Sequence, residues 1–373
     1  MSAPAAAAPG GGTPPRGIPH DGGLPDGDGI AAAFRLRPAA LAVAVAVTVA
    51  VLGLSVAVGP FPIPLTQILL AVADRLSLPG VHTTLTPQEQ VILFQWRLPR
   101  AVLGGLVGAA LALSGATYQG VFRNPLADPY LLGVAAGAGL GATIVIGGHL
   151  QAGWGPLDTV AAAAFVGALA GVLLAAALGR GAGSSPAALL LAGVAVASFL
   201  TAVQTYLVQR DSDGFREVYT WILGQLVTSG WGDVALLAPY VAVCGAVILA
   251  LRRQLDVLRV GDTEAASLGL DPGRIRLVLI VAASLLAAAA VAVSGLISFV
   301  GIVVPHVVRL LVGSSNRVVL PLSALGGAAF LMLADLGART LASPAEVPIG
   351  VITAFVGAPF FAFVLWTGRR AIA

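Results

Sequence analysis

The sequence contains no lysine. All 20 basic residues among its 373 are arginine, and that absence has a chemical consequence. A phosphate-binding loop of the form Gly-x4-Gly-Lys needs the lysine ammonium at the phosphates. This chain carries no such loop, so any ATP that drives it must be hydrolysed on another subunit. Cysteine is nearly absent too. Cys244 stands alone, which excludes an intrachain disulfide and a cysteine-built metal site and leaves it as an ordinary small apolar helix residue. Charge is the third scarcity. Charged residues make up 10% of the chain against 58% hydrophobic, where a soluble domain carries about 25% charged residues. Aromatics reach only 6%, so the apolar mass is Ala, Val, Leu and Gly. That is the composition of closely packed transmembrane helices, and the fold class expected is an all-α integral membrane protein.

Residues 1–38 stand apart. They are rich in Pro, Gly and Ala without periodicity, which predicts a disordered cytoplasmic extension. Arg35 and Arg37 stand directly before a long apolar run, as in an uncleaved first helix whose N-terminus is inside. A helix needs about 20 apolar residues to cross the hydrocarbon core. Ten segments of residues 39–373 answer to that: 39–59, 101–122, 131–150, 156–178, 187–208, 234–251, 275–297, 298–313, 318–338 and 348–367. With the N-terminus inside, 14 arginines fall on the cytoplasmic side and 6 outside, an imbalance that favours this orientation and places both termini in the cytoplasm.

Small residues recur at helical spacing. Gly133, Gly137 and Gly141 repeat every four residues, as do Gly104, Gly108 and Ala112. Each series lines one helix face so that a neighbouring backbone can approach. Ser114, Gly115, Pro125 and Gly133 match Ser294, Gly295, Pro305 and Gly313 at one offset. An odd number of spans separates the two copies, so a duplication would set two halves in opposite orientations, a transporter feature. An ion-coupled secondary transporter would share that symmetry but should place carboxylates near the midplane. Asp335 alone is a candidate, and it lies near a helix end.

The stretch "RLPRAVLGGLVGAALALSGATYQGVFRNPLADPYLLGVAAGAGLG" resembles the permease subunits of the iron-siderophore and vitamin B12 class of ABC importers, the FecCD type. So do "GDTEAASLGL", "SGLISFVGIVVPHVVRLLVG" and "ADLGARTLASPAEVPIGVITAFVGAPFFAFVLW", in the family's order from about residue 90 to 370. The resemblance implies a ten-helix permease in a bacterial plasma membrane that is not itself an enzyme. Its partners would be a second copy or a paralogue, ATP-binding subunits carrying ATP and magnesium, an extracytoplasmic substrate-binding protein and the surrounding lipid. It implies no nucleic-acid partner, and no cofactor or metal bound by this chain. The expected cargo is a ferric siderophore, with cobalamin or haem as the alternatives.

The resemblance also gives residues their roles. Arg97, Arg100 and Arg339, at outer helix ends, are expected to receive acidic residues of the binding protein; guanidinium–carboxylate pairing would set register there. Snorkelling to the headgroups is the plainer account of such arginines. Residues 252–276 are too polar to cross, and Asp262, Glu264, Ala265, Ala266, Leu268 and Gly269 read as a short coupling helix with a helix start, a small apolar face and a glycine C-cap. Ser184, Ser185 and Pro186 mark the inner mouth of the fifth span, where the family closes a gate. Gly357, Ala358 and Pro359 are expected to break the tenth span beside the pathway. Asp335 is expected to pair with Arg339 one turn on, Asp128 to cap a turn, and His306 to make a structural hydrogen bond. No nucleophile–base set is visible, so no catalytic residue is expected.

Overall fold

Proline, glycine and small polar residues place the helix ends. The computed structural model describes residues 36–59, 63–80, 82–150, 158–181, 183, 186–210, 214–226 and 230–370. The expected N-terminal extension up to residue 35, and with it Ser184 and Ser185, lies outside the described residues. Helix α1 (Pro38–Ala57) opens with proline in its first turn, where the missing N–H costs nothing. After α2 (Leu65–Arg75), α3 (Pro87–Val91) starts on a capping box. Thr86 Oγ1 accepts from the Glu89 N–H at 3.3 Å, and Glu89 Oε2 accepts from the Thr86 N–H at 2.8 Å. A π-helical turn, Ile92–Arg97, then carries the chain into α4 (Leu98–Phe122).

The remaining helices are α5 (Val134–Gly147), α6 (Thr159–Gly181), α7 (Pro186–Arg210), α8 (Phe215–Ile222), α9 (Trp231–Ala250), α10 (Arg252–Val260), α11 (Asp262–Ser267), α12 (Pro272–Ser294), α13 (Val300–Val312), α14 (Asn316–Thr340) and α15 (Ile349–Arg370). Among the described residues, seven helical stretches, led by α1 and the continuous Pro87–Phe122, are long and apolar enough to cross a membrane. Three shorter apolar helices, α5, α13 and the Ile349–Val364 part of α15, complete the expected ten.

Helix α4 is the hub. It is buried along most of its length and packs against α14, α12, α13 and α9. Glycine makes these approaches possible. A Cβ on Gly108 would run into the Gly327 carbonyl of α14, and one on Gly115 into the Gly301 carbonyl of α13. Ser114 Oγ donates to the Ala283 carbonyl at 2.7 Å, and Tyr118 shares a hydrogen bond of 2.5 Å with Ser284, so α4 and α12 are joined by interhelical polar bonds as well as by packing.

The second close pair is α5 on α6. Cβ atoms on Gly137 and Gly141 would meet the carbonyls of Gly167 and Ala163, and one on Gly171 would meet that of Gly133. The expected small-residue face is therefore a backbone-to-backbone seam. Gly137→Val should force the two helices apart, at the roughly 1–3 kcal/mol typical of overpacking. The check is thermal unfolding of purified protein in detergent, with Gly181→Val as the control, since open space surrounds Gly181.

The two short helices α5 and α13 do not start at the bundle's end. The turn before α5 (Pro129–Leu132) sets its Leu131 carbonyl against Gly193, inside α7, and Gly133 abuts Gly171, inside α6. The turn before α13 sets Gly301 against Gly115, inside α4 and about two turns from its end. One hydroxyl links the two turns: Tyr130 OH donates to the Ile297 carbonyl at 2.9 Å and accepts from the Ile297 N–H at 3.2 Å. A long helix, an interior turn and a short helix thus occur twice, as α4–α5 and α12–α13. The duplication expected in the sequence is present at this level. Residue by residue the offset fails, because Ser114 and Gly115 lie within α4 while Ser294 and Gly295 end α12, and Pro125 lies in a turn while Pro305 lies within α13. Polar backbone at interior depth is tolerated because it is buried in protein and bonded there.

Candidate functional site

One arginine cluster is built around the C-terminus of α1. A helix end leaves its last carbonyls without partners inside the helix, and two guanidinium groups supply them here. Arg97 Nη1 donates to the Val56 carbonyl at 3.2 Å and to that of Ala57 at 3.4 Å. Arg339 Nη2 donates to the Ser55 carbonyl at 2.9 Å and to Ser55 Oγ at 3.1 Å. Cations at a helix C-terminus also complement its dipole. Both arginines are buried, at 7% and 8% exposure. They are caps from neighbouring elements, not the outward-facing guanidinium groups expected from the sequence.

Arg100 differs. Its Nη2 lies 2.8 Å from Asp335 Oδ1 and 2.9 Å from Glu346 Oε2. Asp335 is buried and pairs a second time with Arg339 Nε, at 3.0 Å, one turn along α14. The expected Asp335–Arg339 pair is present, and Arg100 is a partner the sequence reading missed. Glu346 was missed as well; its signal is a carboxylate just before the apolar start of the last span.

The polar segment 252–276 is held by a second charge cluster. Asp262, first residue of α11, accepts from Arg276 Nη2 at 2.9 and 3.1 Å and also pairs with Arg123. Arg123 in turn donates from Nε to the Leu258 carbonyl at 2.8 Å. The clamp joins the end of α4, the linker helices and α12. The helix end is a Schellman motif: the Gly269 N–H bonds the Ala266 carbonyl at 2.9 Å and the Leu270 N–H bonds that of Ala265 at 3.1 Å. Gly269 takes φ of +80° there, which glycine adopts without strain. The expected C-cap is confirmed.

The expected apolar face is not a single face. Ala265 points into the core, while Ala266 and Leu268 point outward and Leu268 is 70% exposed. A six-residue helix has room for one inward contact per turn, and Ala265 takes it. Val260, 74% exposed at the end of α10, adds a second outward apolar side chain that the sequence reading did not single out. Glu264 is exposed beside them.

Hydrogen bonding from Arg276, with Arg123 beside it, holds the Asp262 carboxyl below its ordinary range. A depressed value means the clamp is intact above the ordinary aspartate pKa of about 3.9 and is lost as pH falls through the lowered one. Hydrogen exchange of the α11 amides checks this. Asp262→Asn should lose protection at pH 7, whereas the unaltered chain should lose it only in strong acid.

Of the expected gate residues, Pro186 is the first residue of α7. Helix α15 runs unbroken through Gly357, Ala358 and Pro359, which corrects the expected break. A proline removes one intrahelical bond, and in a helix this apolar one lost bond does not end the helix. Gly357 serves another purpose, because a Cβ there would run into the Phe299 ring. Pro359, Phe355, Gly350, Leu296, Ser298 and Tyr130 line an almost wholly apolar cavity of about 690 Å³.

Comparison with known proteins identifies the family. The profile of the FecCD transport family matches residues 46–367. A cobalamin import system permease protein of Halobacterium salinarum is 47% identical over 74% of this chain and 73% of its own length. An Fe(3+)-citrate import system permease protein of Bacillus subtilis is 38% identical over 76% of this chain and 84% of its own. A solved metal-chelate type ABC transporter in an inward-facing conformation superposes with a TM-score of 0.77 at 29% identity, covering 89% of this chain and all of that one. The chain belongs to the FecCD transport family and is a multi-pass permease of an ABC importer, a transport subunit whose ATP is hydrolysed by a separate ATP-binding subunit.

Proposed function

We propose that this permease carries cobalamin inward across a bacterial plasma membrane, with both termini cytoplasmic. It would pair with a second copy or a close paralogue, take cargo from an extracytoplasmic binding protein at the Arg100 rim, and receive motion from the ATP-binding subunits at α10–α11. Transport follows from differential stabilisation of outward-open and inward-open states. No chemistry on the cargo is required of this chain. The observation that supports coupling at α10–α11 is the clamp on that segment. Asp262 fixes α11 to two helices through Arg276 and Arg123, while Val260 and Leu268 point away from the body, as a rigid, sticky surface for another subunit requires. The apolar cavity beside α15 offers few polar groups, so cargo selection falls to the binding protein.

Cobalamin is preferred because the relative named for it is more similar than the one named for ferric citrate. A ferric siderophore, the cargo expected from sequence, is the second reading; the ferric-citrate relative and the metal-chelate transporter support it. The test is uptake of labelled cobalamin, ferric siderophore and haem in cells with and without the chain. Loss of cobalamin uptake alone supports the first reading, and loss of siderophore uptake alone moves the assignment to the second. Chain-dependent uptake that survives ATP depletion would refute coupling through α10–α11.

A further inference from the structure

A carboxylate arriving at Arg100 from outside must displace one that is already there. A planar guanidinium offers two paired edges to carboxylates, and both are filled from within this chain. The Nε–Nη2 edge faces Asp335, with Nε and Nη2 donating to Oδ1 at 3.0 and 2.8 Å. The Nη1–Nη2 edge faces Glu346, donating to Oε1 at 3.0 Å and to Oε2 at 2.9 Å. The first edge is closed, since Asp335 is buried on α14 and pinned by Arg339. The second is accessible, because the Glu346 side chain is 35% exposed in a loop whose other residues from Leu341 to Ala345 are exposed.

We propose that Glu346 is a self-docked carboxylate. It occupies the partner-facing edge of Arg100 while the binding protein is absent, and an acidic residue of that protein takes its place on docking. This rests on reading Arg100 as a docking residue. The exchange is feasible electrostatically because Asp335 already answers both Arg100 and Arg339, so Arg100 still calls for a carboxylate on its second edge whichever molecule supplies it. An incoming carboxylate keeps the Arg100 charge paired, whereas a neutral or basic partner residue would leave it unpaired in a half-buried site, which is costly. Discrimination against non-cognate partners follows from that difference.

The displaced group connects to the pathway. Directly after Glu346 the Val347 N–H bonds the Ala338 carbonyl at 3.0 Å, and the Ile349 and Gly350 N–H groups bond the Gly224 and Leu223 carbonyls, each at 3.1 Å. Glu346 is thus the ionic link between α4 and the start of α15, whose Phe355 and Pro359 line the apolar cavity. Docking would release that link at the moment cargo arrives.

The experiment uses the full chain assembled with its ATP-binding subunit in lipid nanodiscs. The probe is the purified binding protein on which chain-dependent uptake depends. Its Kd is measured for the unaltered chain, Glu346→Gln and Arg100→Gln. Removing the internal competitor should tighten binding about threefold to fivefold, the scale of an exposed ion pair, and the gain should shrink in high salt. Arg100→Gln should weaken binding at least about tenfold. If Arg100→Gln weakens binding but Glu346→Gln leaves it unchanged or weaker, self-docking is overturned and docking at Arg100 stands. If Arg100→Gln binds like the unaltered chain, the docking role itself fails. Thermal unfolding is read on each variant. Should Glu346→Gln not fold, Glu346→Asp carries the test: too short to reach both nitrogens, it should tighten binding by a smaller factor, and an unchanged or weaker Kd again overturns the proposal.

Discussion

Asp335→Ala is expected to destabilise the folded chain by about 3–5 kcal/mol, the loss that follows when one member of a buried ion pair is removed. Asp335 is buried and answers two guanidinium groups, Arg100 at 2.8 Å and Arg339 at 3.0 Å. Without it Arg339 keeps its bonds to Ser55 but loses its neighbouring counter-charge in a buried site, and Arg100 keeps only Glu346. The effect should spread to α1, whose last carbonyls depend on Arg339 and Arg97. Asp335→Asn preserves shape and part of the hydrogen bonding, so its loss should be intermediate. Asp335→Leu combined with Arg339→Met should recover only part of the deficit, because it removes the unpaired buried guanidinium but also the cap on Ser55 and one partner of Arg100. Chemical unfolding in detergent measures all three. An Asp335→Ala variant within about 1 kcal/mol of the unaltered chain, below the range for broken buried pairs, would mean that the cluster contributes nothing to stability.

Replacing Val260 and Leu268 together by aspartate is expected to leave the permease folded and to abolish retention of the ATP-binding subunit. Both side chains are more than two-thirds exposed in the isolated chain, so nothing internal is lost. If a partner covers them, each contributes roughly 1.5–3 kcal/mol by burial. Loss of both, together with two added charges at a dry contact, weakens association by at least about a hundredfold. The checks are co-purification of the ATP-binding subunit and ATP-driven cargo uptake, beside an unchanged unfolding temperature. Retained subunit with uptake within twofold of normal would place the coupling contact elsewhere. Asp262→Asn tests the same surface from behind: it loosens the mount of α11 without touching the exposed side chains, so it should impair uptake while the subunit stays bound.

Much of this protein was readable in the chain itself. Composition alone implied a membrane protein. Hydrophobic run length located ten helices, because crossing a bilayer imposes a length that is visible in one dimension. The glycine spacing on α5 marked a close-packed face, and "DTEAASLGLDP" marked a short capped helix, because both are properties of contiguous residues. The family could be recognised for the same reason.

Tertiary structure alone decided how the charges are used. Arg97 and Arg339 looked like outward hooks, yet they cap a helix that ends about forty and about 280 residues earlier in the chain. Pairing of Arg100 with Glu346, and of Arg123 with Asp262, joins residues far apart in sequence, and no local pattern announces such a partner. The interior starts of α5 and α13 were hidden likewise, since their depth is defined by the neighbours Gly171, Gly193 and Gly115 and not by their own hydropathy. Helix formation and membrane crossing follow from local bonding and from burial summed along one segment, so the sequence determines them. An ion pair, a cap borrowed from another helix or a turn buried at depth exists only once the helices have packed and excluded water, which is why only the fold could decide them.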